Sequence, residues 1–279
     1  MMFKPLLAFT GLLAAASALP SSHGEPPAAA TQNSTMPDIT KIMSVDPSTF
    51  KSYPADAMPH ADSVNNGTTA ATLSRRWDCS GQATFTWGDA DNGQRGIQIT
   101  NDGPDWRGFY IYHNNCDAVP YKYVWIASKA TQFVAVPDGF EGRITRGVDA
   151  WNLKGTPQTL ATWFEFSIDI YGVMWGDVSL IRGCDGAALM WSLDGSGGWK
   201  GFTQWIMDGA PIEAYAPKES GVWVLAASEN WDGSMNTYSR DWYISQVGID
   251  YVYVDDYHGN PVISSQNGRF GTFWPEGRP

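Results

Sequence analysis

The chain has 279 residues, and its composition divides it into two parts. All 14 Trp and all 3 Cys lie at or after Trp77, whereas residues 1–76 contain four aromatic residues in total. Residues 1–76 contain 5 Lys and Arg against 5 Asp and Glu, whereas residues 77–279 contain 13 Lys and Arg against 24 Asp and Glu. The formal charge of -11 therefore belongs to the second part. An acidic body argues against nucleic acid as a partner, because phosphates require cationic side chains. No stretch of 18 apolar residues occurs, which excludes a membrane-spanning helix.

The first 18 residues have the pattern of a secretory signal peptide. Lys4 supplies a short positive region, residues 6–16 are apolar, and Ala16-Ser17-Ala18 offers the small side chains that signal peptidase accepts. The sequence therefore predicts residues 1–18 as a signal peptide that is cleaved after Ala18. Secretion in turn places the mature protein in an extracellular, oxidising setting.

Residues 19–76 are rich in Pro, Ala, Ser, Thr and Asn and contain no Trp or Cys. Such a segment buries too little apolar surface to offset its ordering entropy, so we expect a disordered pro-segment. It ends in the dibasic pair Arg75-Arg76, which predicts proteolytic processing and a mature protein that begins near Trp77. Two glycosylation acceptors, Asn33 and Asn66, both fall inside this segment.

Residues 77–279 alternate short β-branched and aromatic runs with Gly, Pro, Asn and Asp, a pattern typical of sheets joined by tight turns. Ten short strands and little helix favour an all-β sandwich. The predicted strands cover residues 83–87, 96–100, 109–113, 124–127, 132–136, 142–145, 164–171, 178–181, 222–227 and 251–254. A helix of one or two turns is expected between Gly201 and Met207.

The clearest pattern lies within residues 164–170, where apolar and polar side chains alternate with a period of two. The alternation sends the apolar residues into a core and leaves Glu165, Ser167 and Asp169 on the other face. At a rise of about 3.3 Å per residue the two carboxylates stand roughly 13 Å apart, too far to act together in hydrolysis. Either one needs a partner from another strand. An ordinary solvated sheet face explains the same pattern.

Three cysteines, Cys79, Cys116 and Cys184, permit one intrachain disulfide and one remaining thiol, and the sequence leaves all three pairings open. Only His113 and His258 follow Trp77, so a cysteine nucleophile has few candidate bases. The same scarcity of His, with no Cys pair at metal-ligand spacing, predicts no metal site and no cofactor.

Two motifs resemble the thaumatin-like protein family. Residues 136–144 match its Pro-x-Gly-Phe-x-Gly-Arg-Ile run, and residues 160–186 match its strand with a central Glu followed by an Asp-Val-Ser turn. Residues 97–101 resemble the opening strand of the family, so the resemblance covers roughly residues 95–190. It implies a thaumatin-like β-sandwich with loop insertions for residues 77–279.

The resemblance also implies an acidic cleft that binds, or in some members slowly hydrolyses, β-1,3-glucan. Glu165 matches the Glu of that cleft and Asp177 matches its first Asp, whereas Arg182 stands where the family usually has another Asp. Asp185 is the candidate to replace that missing acid. Arg146 lies one residue short of the cleft Arg. Three cysteines stand here in place of the many that the family has.

We therefore expect a secreted, monomeric protein that binds a polysaccharide such as cell-wall glucan, or a host surface. Glu165, Asp177 and Asp185 are the candidate catalytic acids. Sugar rings stack on tryptophan while charged groups bind their hydroxyls, which suggests a larger set of glycan-binding residues. That set is Arg146, Asp169, Arg182, Trp175 and Trp191. A weak endo-β-1,3-glucanase and a secreted effector or toxin that acts on a host protein are the alternatives.

Overall fold

The computed structural model describes residues 79–279, whose strands form three sheets. In chain order the strands are β1 (Thr84–Thr86), β2 (Gly96–Asn101), β3 (Arg107–His113), β4 (Lys122–Ile126), β5 (Ala130–Ala135), β6 (Glu141–Gly147), β7 (Trp163–Ile168), β8 (Met174–Ser179), β9 (Leu189–Ser192), β10 (Trp199–Gly201), β11 (Tyr215–Pro217), β12 (Trp223–Leu225), β13 (Ile263–Ser265) and β14 (Arg269–Trp274). Two α-helices, α1 (Asp149–Asn152) and α2 (Thr237–Gln246), and a 3-10 turn (Ile212–Ala214) complete the regular structure of these residues.

The seven-stranded sheet has the order β1-β4-β3-β6-β7-β8-β13, and the five-stranded sheet has the order β10-β9-β14-β2-β5. Strands β11 and β12 form a separate pair. Neighbouring strands are antiparallel except in the pairs β1–β4 and β14–β2, which are parallel. The predicted all-β sandwich is confirmed.

The two large sheets face each other across a shared apolar core. The Phe109 ring on β3 lies 5.5 Å from the Trp274 ring on β14, and the Phe164 ring on β7 lies 5.8 Å from the Phe270 ring, also on β14. All four side chains are almost fully buried. The alternation of β7 therefore has its expected result, with one face of the strand in the core and the other on the outside of the sandwich.

The outer face of the large sheet is covered at one end. A second apolar cluster there contains Tyr110, Tyr112, Tyr123 and Trp125, which β1 and α1 cover. Asp149 in α1 accepts hydrogen bonds from the Tyr110 hydroxyl at 2.5 Å and the Trp125 indole at 2.9 Å. Further across the same sheet, β7 and β8 carry half-buried polar residues, and this part of the face holds the candidate site.

Nine of the ten predicted strands overlap an observed strand, but residues 251–254 do not. They form bends instead, with one isolated bridge between Tyr253 and Ser179. The prediction of a helix between Gly201 and Met207 is also wrong, because these residues form no helix. The longer helix of the described residues is α2. Only Ser239 and Tyr243 of α2 are buried, a stripe too narrow to give a clear period of 3.6 residues.

The predictions for the N-terminal part lie outside the described residues. These are the signal peptide (1–18), the pro-segment (19–76), the acceptors Asn33 and Asn66, the pair Arg75-Arg76 and the start near Trp77. Across residues 79–279, no helix is long and apolar enough to cross a membrane.

Candidate functional site: an acidic row on the outer face

Two carboxylates from neighbouring strands lie directly opposite each other on the outer face. Glu165 of β7 is in register with Asp177 of β8, and Arg143 of β6 is in register with Glu165 on its other side. Side chains at such positions have Cβ atoms about 4.5–5.5 Å apart. We call Arg143, Glu165 and Asp177 the acidic row. β8 thus supplies the second-strand partner that Glu165 required.

Both carboxyls of the row are stabilised in their protonated form. Burial raises the pKa of Glu165, while Ser179, Arg143 and Arg182 oppose the rise. Burial also raises the pKa of Asp177 well above its ordinary value, and the neighbouring Glu165 charge adds to the rise. Oδ1 of Asp177 is buried and accepts no hydrogen bond from the described residues. The pair therefore holds a proton to a higher pH than an exposed acid does.

Arg143 is the cation of the row, and it is held from several sides. Its Nη1 pairs with Oδ1 of Asp117 at 2.6 Å, and its side chain is 3% exposed. The guanidinium carbon lies 4.0 Å from the Trp163 ring centre and 4.6 Å from that of Tyr112. Arg143 therefore contributes a positive charge beside Glu165 but little contact surface, because a stacked and paired guanidinium is largely covered.

Two exposed tryptophans are linked to the acidic row, Trp175 by its place on β8 and Trp231 through Arg182. Trp175 precedes Asp177 by two residues on β8, so both point to the outer face, and Trp175 is 45% exposed. Its indole nitrogen donates to Oδ2 of Asp169 at 3.2 Å. Trp231 is 65% exposed, and the Arg182 guanidinium lies 3.7 Å from its ring centre. Asp169 and Arg182 therefore hold the rings.

The C-terminal part of the chain adds groups to this site that sequence reasoning missed. Tyr253 forms a bridge with Ser179, which brings its segment beside β8. The exposed Asp256 contributes to the raised pKa of Glu165 and to that of Glu229. No motif signalled these residues, because they lie on bends beyond the stretch that resembles a known family.

Asp185 and Arg146 lie elsewhere, which corrects two of the sequence assignments. Asp185 is fully buried. It forms an ion pair with Nε of Arg146 at 3.3 Å and accepts hydrogen bonds from Nζ of Lys218 at 2.8 Å and from the Thr162 backbone N–H at 3.2 Å. Arg146 is opposite Phe109 on β3, on the core side of the sheet. Asp185 is thus a structural ion-pair partner, and Arg143 takes the position expected for Arg146.

Trp191 is also misassigned as a glycan-binding residue. It lies in β9 of the small sheet, is 2% exposed and packs over Gly271 of β14. A Cβ at residue 271 would lie 2.2 Å from the Trp191 ring, so this position must be glycine. Trp191 lies within a strand, and its ring fills the space that the missing side chain of Gly271 leaves.

The disulfide joins Cys79 to Cys116, which settles the open pairing. Cys116 directly precedes Asp117, so the bond fixes the loop that pairs with Arg143. Cys184 is a buried free thiol, and burial raises its pKa to about 11. A thiol with that pKa is a poor nucleophile near neutral pH. Within residues 79–279 no group of three or more His, Cys, Asp and Glu is placed to hold a metal ion.

No family model matches the chain, and no curated protein matches it. Among solved structures it is similar to the crystal structure of the protein elicitor MoHrip2 from Magnaporthe oryzae, at 10% sequence identity and a TM-score of 0.28. That similarity covers 39% of this chain and 77% of the elicitor. A similarity at this level supports no inference about family or function, so the function has to be argued from the acidic row itself.

Proposed function

We propose that this chain is a secreted, thaumatin-like protein that binds a cell-wall or host glycan over the acidic row. The observation that carries the proposal is the in-register pair of Glu165 and Asp177 with the exposed ring of Trp175 on the same strand face. The exposed ring of Trp231 stacks on Arg182, whose charge acts on Glu165. Sugars present flat C–H faces to aromatic rings and hydroxyls to carboxyl groups, so this combination suits them.

The protonation of the pair adds to its use in binding hydroxyl groups. A carboxylate only accepts hydrogen bonds, whereas a protonated carboxyl also donates one. Because burial raises the pKa of both Glu165 and Asp177, the pair offers a donor and several acceptors to the same ligand. A sugar hydroxyl both donates and accepts, so it matches this mixed set.

Secretion is supported by the disulfide between Cys79 and Cys116, since such bonds persist in oxidising compartments. The signal-peptide pattern of residues 1–18 points the same way. A polysaccharide or host-surface partner is consistent with an extracellular protein whose exposed rings lie beside carboxyl groups.

Binding is tested by incubating the full chain with insoluble β-1,3-glucan, chitin and cellulose and measuring the protein that sediments. We expect Trp175→Ala to weaken sedimentation at least about fivefold, taking the about 1–3 kcal/mol that an aromatic side chain contributes when a planar nucleic-acid base stacks on it as the guide. Trp205→Ala is the matched control, since Trp205 is 42% exposed but lies on another segment. Equal losses in both variants, or none in either, would contradict a site beside the row.

A weak endo-β-1,3-glucanase is the second candidate, because Glu165 and Asp177 lie opposite each other on neighbouring strands and the pKa of Asp177 is raised well above its ordinary value. Retaining hydrolysis uses two carboxyls about 5–5.5 Å apart, one protonated. Asp177, whose pKa is raised well above its ordinary value, would be the general acid, and Glu165 would be the nucleophile.

Hydrolysis is tested by assaying reducing ends released from the same polymers. We expect Glu165→Gln to abolish release while it keeps sedimentation. Sedimentation without release by the wild type would leave a binding protein. Neither sedimentation nor release would reject both glycan functions for these polymers and favour an effector that acts on a host protein.

A further inference from the structure

A partly enclosed pocket of about 130 Å³ lies on the outer face, and the acidic row does not use it. Thr145 of β6 forms part of its lining, with Trp151, Gln158, Lys218 and Glu219 among the other lining residues. One water-sized group needs about 10–15 Å³, so the pocket holds about ten such groups. That capacity is comparable to the non-hydrogen atoms of a single sugar unit.

One residue of the pocket lining carries a polar atom without a hydrogen-bond partner among the described residues. Thr145 is 1% exposed, and its hydroxyl makes no hydrogen bond with any described residue. A buried hydroxyl without a partner is unfavourable, so a ligand group that bonds to it is strongly favoured. The residue lines the pocket, but its hydroxyl has almost no solvent-accessible surface, so a ligand hydroxyl reaches it only with a small shift of the lining.

The charges around the pocket are already compensated. Lys218 bonds to Asp185, and the exposed carboxylate of Glu219 accepts from Nζ of Lys154 at 2.9 Å and from Nε2 of Gln158 at 2.5 Å. Arg146 also lines the pocket and pairs with Asp185. The pocket therefore combines paired charges and an amide group with one aromatic wall, Trp151, whose ring centre lies 4.6 Å from Nζ of Lys154. An aromatic wall with hydroxyl and amide groups suits a neutral sugar.

The pocket and the acidic row are neighbours on one sheet face. Thr145 follows Arg143 by two residues on β6, about 7 Å further along the strand. Trp163, which stacks on Arg143, donates from its indole nitrogen to the carbonyl oxygen of Thr159 at 2.9 Å, and Thr159 lines the pocket. A ligand that reaches from the row to the pocket has to pass over the buried side chains of Arg143 and Trp163.

We propose that the pocket is a subsite for one neutral pyranose unit of the glycan whose neighbouring units lie over Glu165 and Asp177. This inference rests on the proposed function. It assigns Thr145, Trp151 and Gln158 to ligand binding and predicts that affinity rises when an oligosaccharide is long enough to occupy both places.

The first test follows tryptophan indole N–H signals of the full chain by NMR while methyl β-glucopyranoside or methyl β-N-acetylglucosaminide is added. The Trp151 signal, identified by its loss in Trp151→Phe, should shift, whereas that of the control Trp205 should not. No shift of Trp151 with either sugar would overturn the proposal and leave a solvent-filled pocket. The methyl glycoside of glucuronic acid, which carries a free carboxylate, is added in a third titration. A shift with this compound alone would also overturn the proposal, because the pocket would then bind an anion and not a neutral sugar.

Variants separate the pocket from the fold. Thr145→Val should weaken binding of the methyl glycoside about three- to tenfold, the effect of losing one hydrogen bond. The same variant should raise the melting temperature, because it removes a buried hydroxyl without a partner. Gln158→Ala, at a partly exposed position, should weaken sugar binding without this gain. Unchanged affinity in both variants would reject the pocket as a sugar site.

Oligosaccharides distinguish failure of the subsite from failure of the proposed function. Both Gln158→Ala and Asp177→Asn should weaken binding of β-1,3-linked gluco-oligosaccharides if one ligand spans both places. If Asp177→Asn alone weakens it, the acidic row binds glycan and the subsite is wrong. If Gln158→Ala alone weakens it, the proposed function fails, and with it the assignment of the pocket to the same glycan.

Discussion

Two carboxylate clusters in the sandwich differ in how many partners each acid has. Asp185, fully buried, forms an ion pair with Arg146 and accepts hydrogen bonds from Lys218 and the Thr162 backbone N–H. Asp177, half-buried on the outer face, has one oxygen with no donor among the described residues and a second acid, Glu165, opposite it. Complete pairing marks a group that holds the fold together, whereas incomplete pairing with a raised pKa marks a candidate for binding or catalysis.

The largest expected effect is on the paired cluster. Asp185→Ala leaves Arg146 and Lys218 buried without their anion, so we expect a loss of about 3–5 kcal/mol in the free energy of unfolding. Urea denaturation followed by fluorescence measures it. A loss below about 1 kcal/mol would show that the pairing around Asp185 is not what distinguishes the two clusters.

The disulfide is expected to have the next largest effect. Replacing both Cys79 and Cys116 by Ala removes a bond between residues 37 apart, and we expect a loss of about 2–4 kcal/mol in the free energy of unfolding. The loop that carries Asp117 also loses its anchor, so glycan binding at the acidic row should fall at temperatures well below the melting point. Loss of stability with unchanged binding at 25 °C would show that the row does not depend on this loop.

The acidic row should affect how the stability of the protein depends on pH. Because folding raises the pKa of Glu165 and Asp177, the folded state binds more protons than the unfolded chain above the ordinary acid pKa values. The contribution of the pair is fully present below about pH 4 and is lost as pH rises through the raised pKa values.

Asp177→Asn should therefore flatten the fall in unfolding free energy between about pH 4 and neutral pH, and should keep or increase stability at pH 7. Asp241→Asn is the control, since Asp241 is exposed and pairs only with the adjacent Arg240. If the unfolding free energy falls by the same amount over this pH range in Asp177→Asn and in the wild type, the pKa of Asp177 is not raised by folding.

The smallest expected effect concerns Cys184. Since burial raises the pKa of its thiol to about 11, native protein should react with iodoacetamide far more slowly than denatured protein at pH 8. Mass spectrometry of both samples measures the labelled fraction. Rapid labelling of the native chain would show that this segment opens readily.

Local pattern was informative where one strand faces the core. The alternation in residues 164–170 placed Phe164 and Phe166 inside and Glu165 outside, because side chains of a strand point to opposite faces in turn. The resemblance supplied Asp177 as a residue of the same site. Neither could show that the two strands pair in the register that makes these acids direct neighbours, since register depends on tertiary contacts.

The errors came from residues whose surroundings are set by distant segments. Arg146 and Arg143 are three residues apart on β6, and only the sheet decides that Arg143 faces the acids while Arg146 faces the core. Trp191 was a candidate glycan contact because sugar rings stack on exposed tryptophan. Its burial depends on Gly271, which is far away in sequence.

The sequence by itself determined the acidic, tryptophan-rich character of residues 77–279, their β-sandwich class and the outward position of Glu165. These properties follow from composition and from the period of two in a strand, which are local. Only the tertiary structure decided the partner of each charged group, the pairing of Cys79 with Cys116 and the neighbourhood of the row and the Thr145 pocket. Pairing and burial depend on which segments meet in space, and no local pattern encodes that choice.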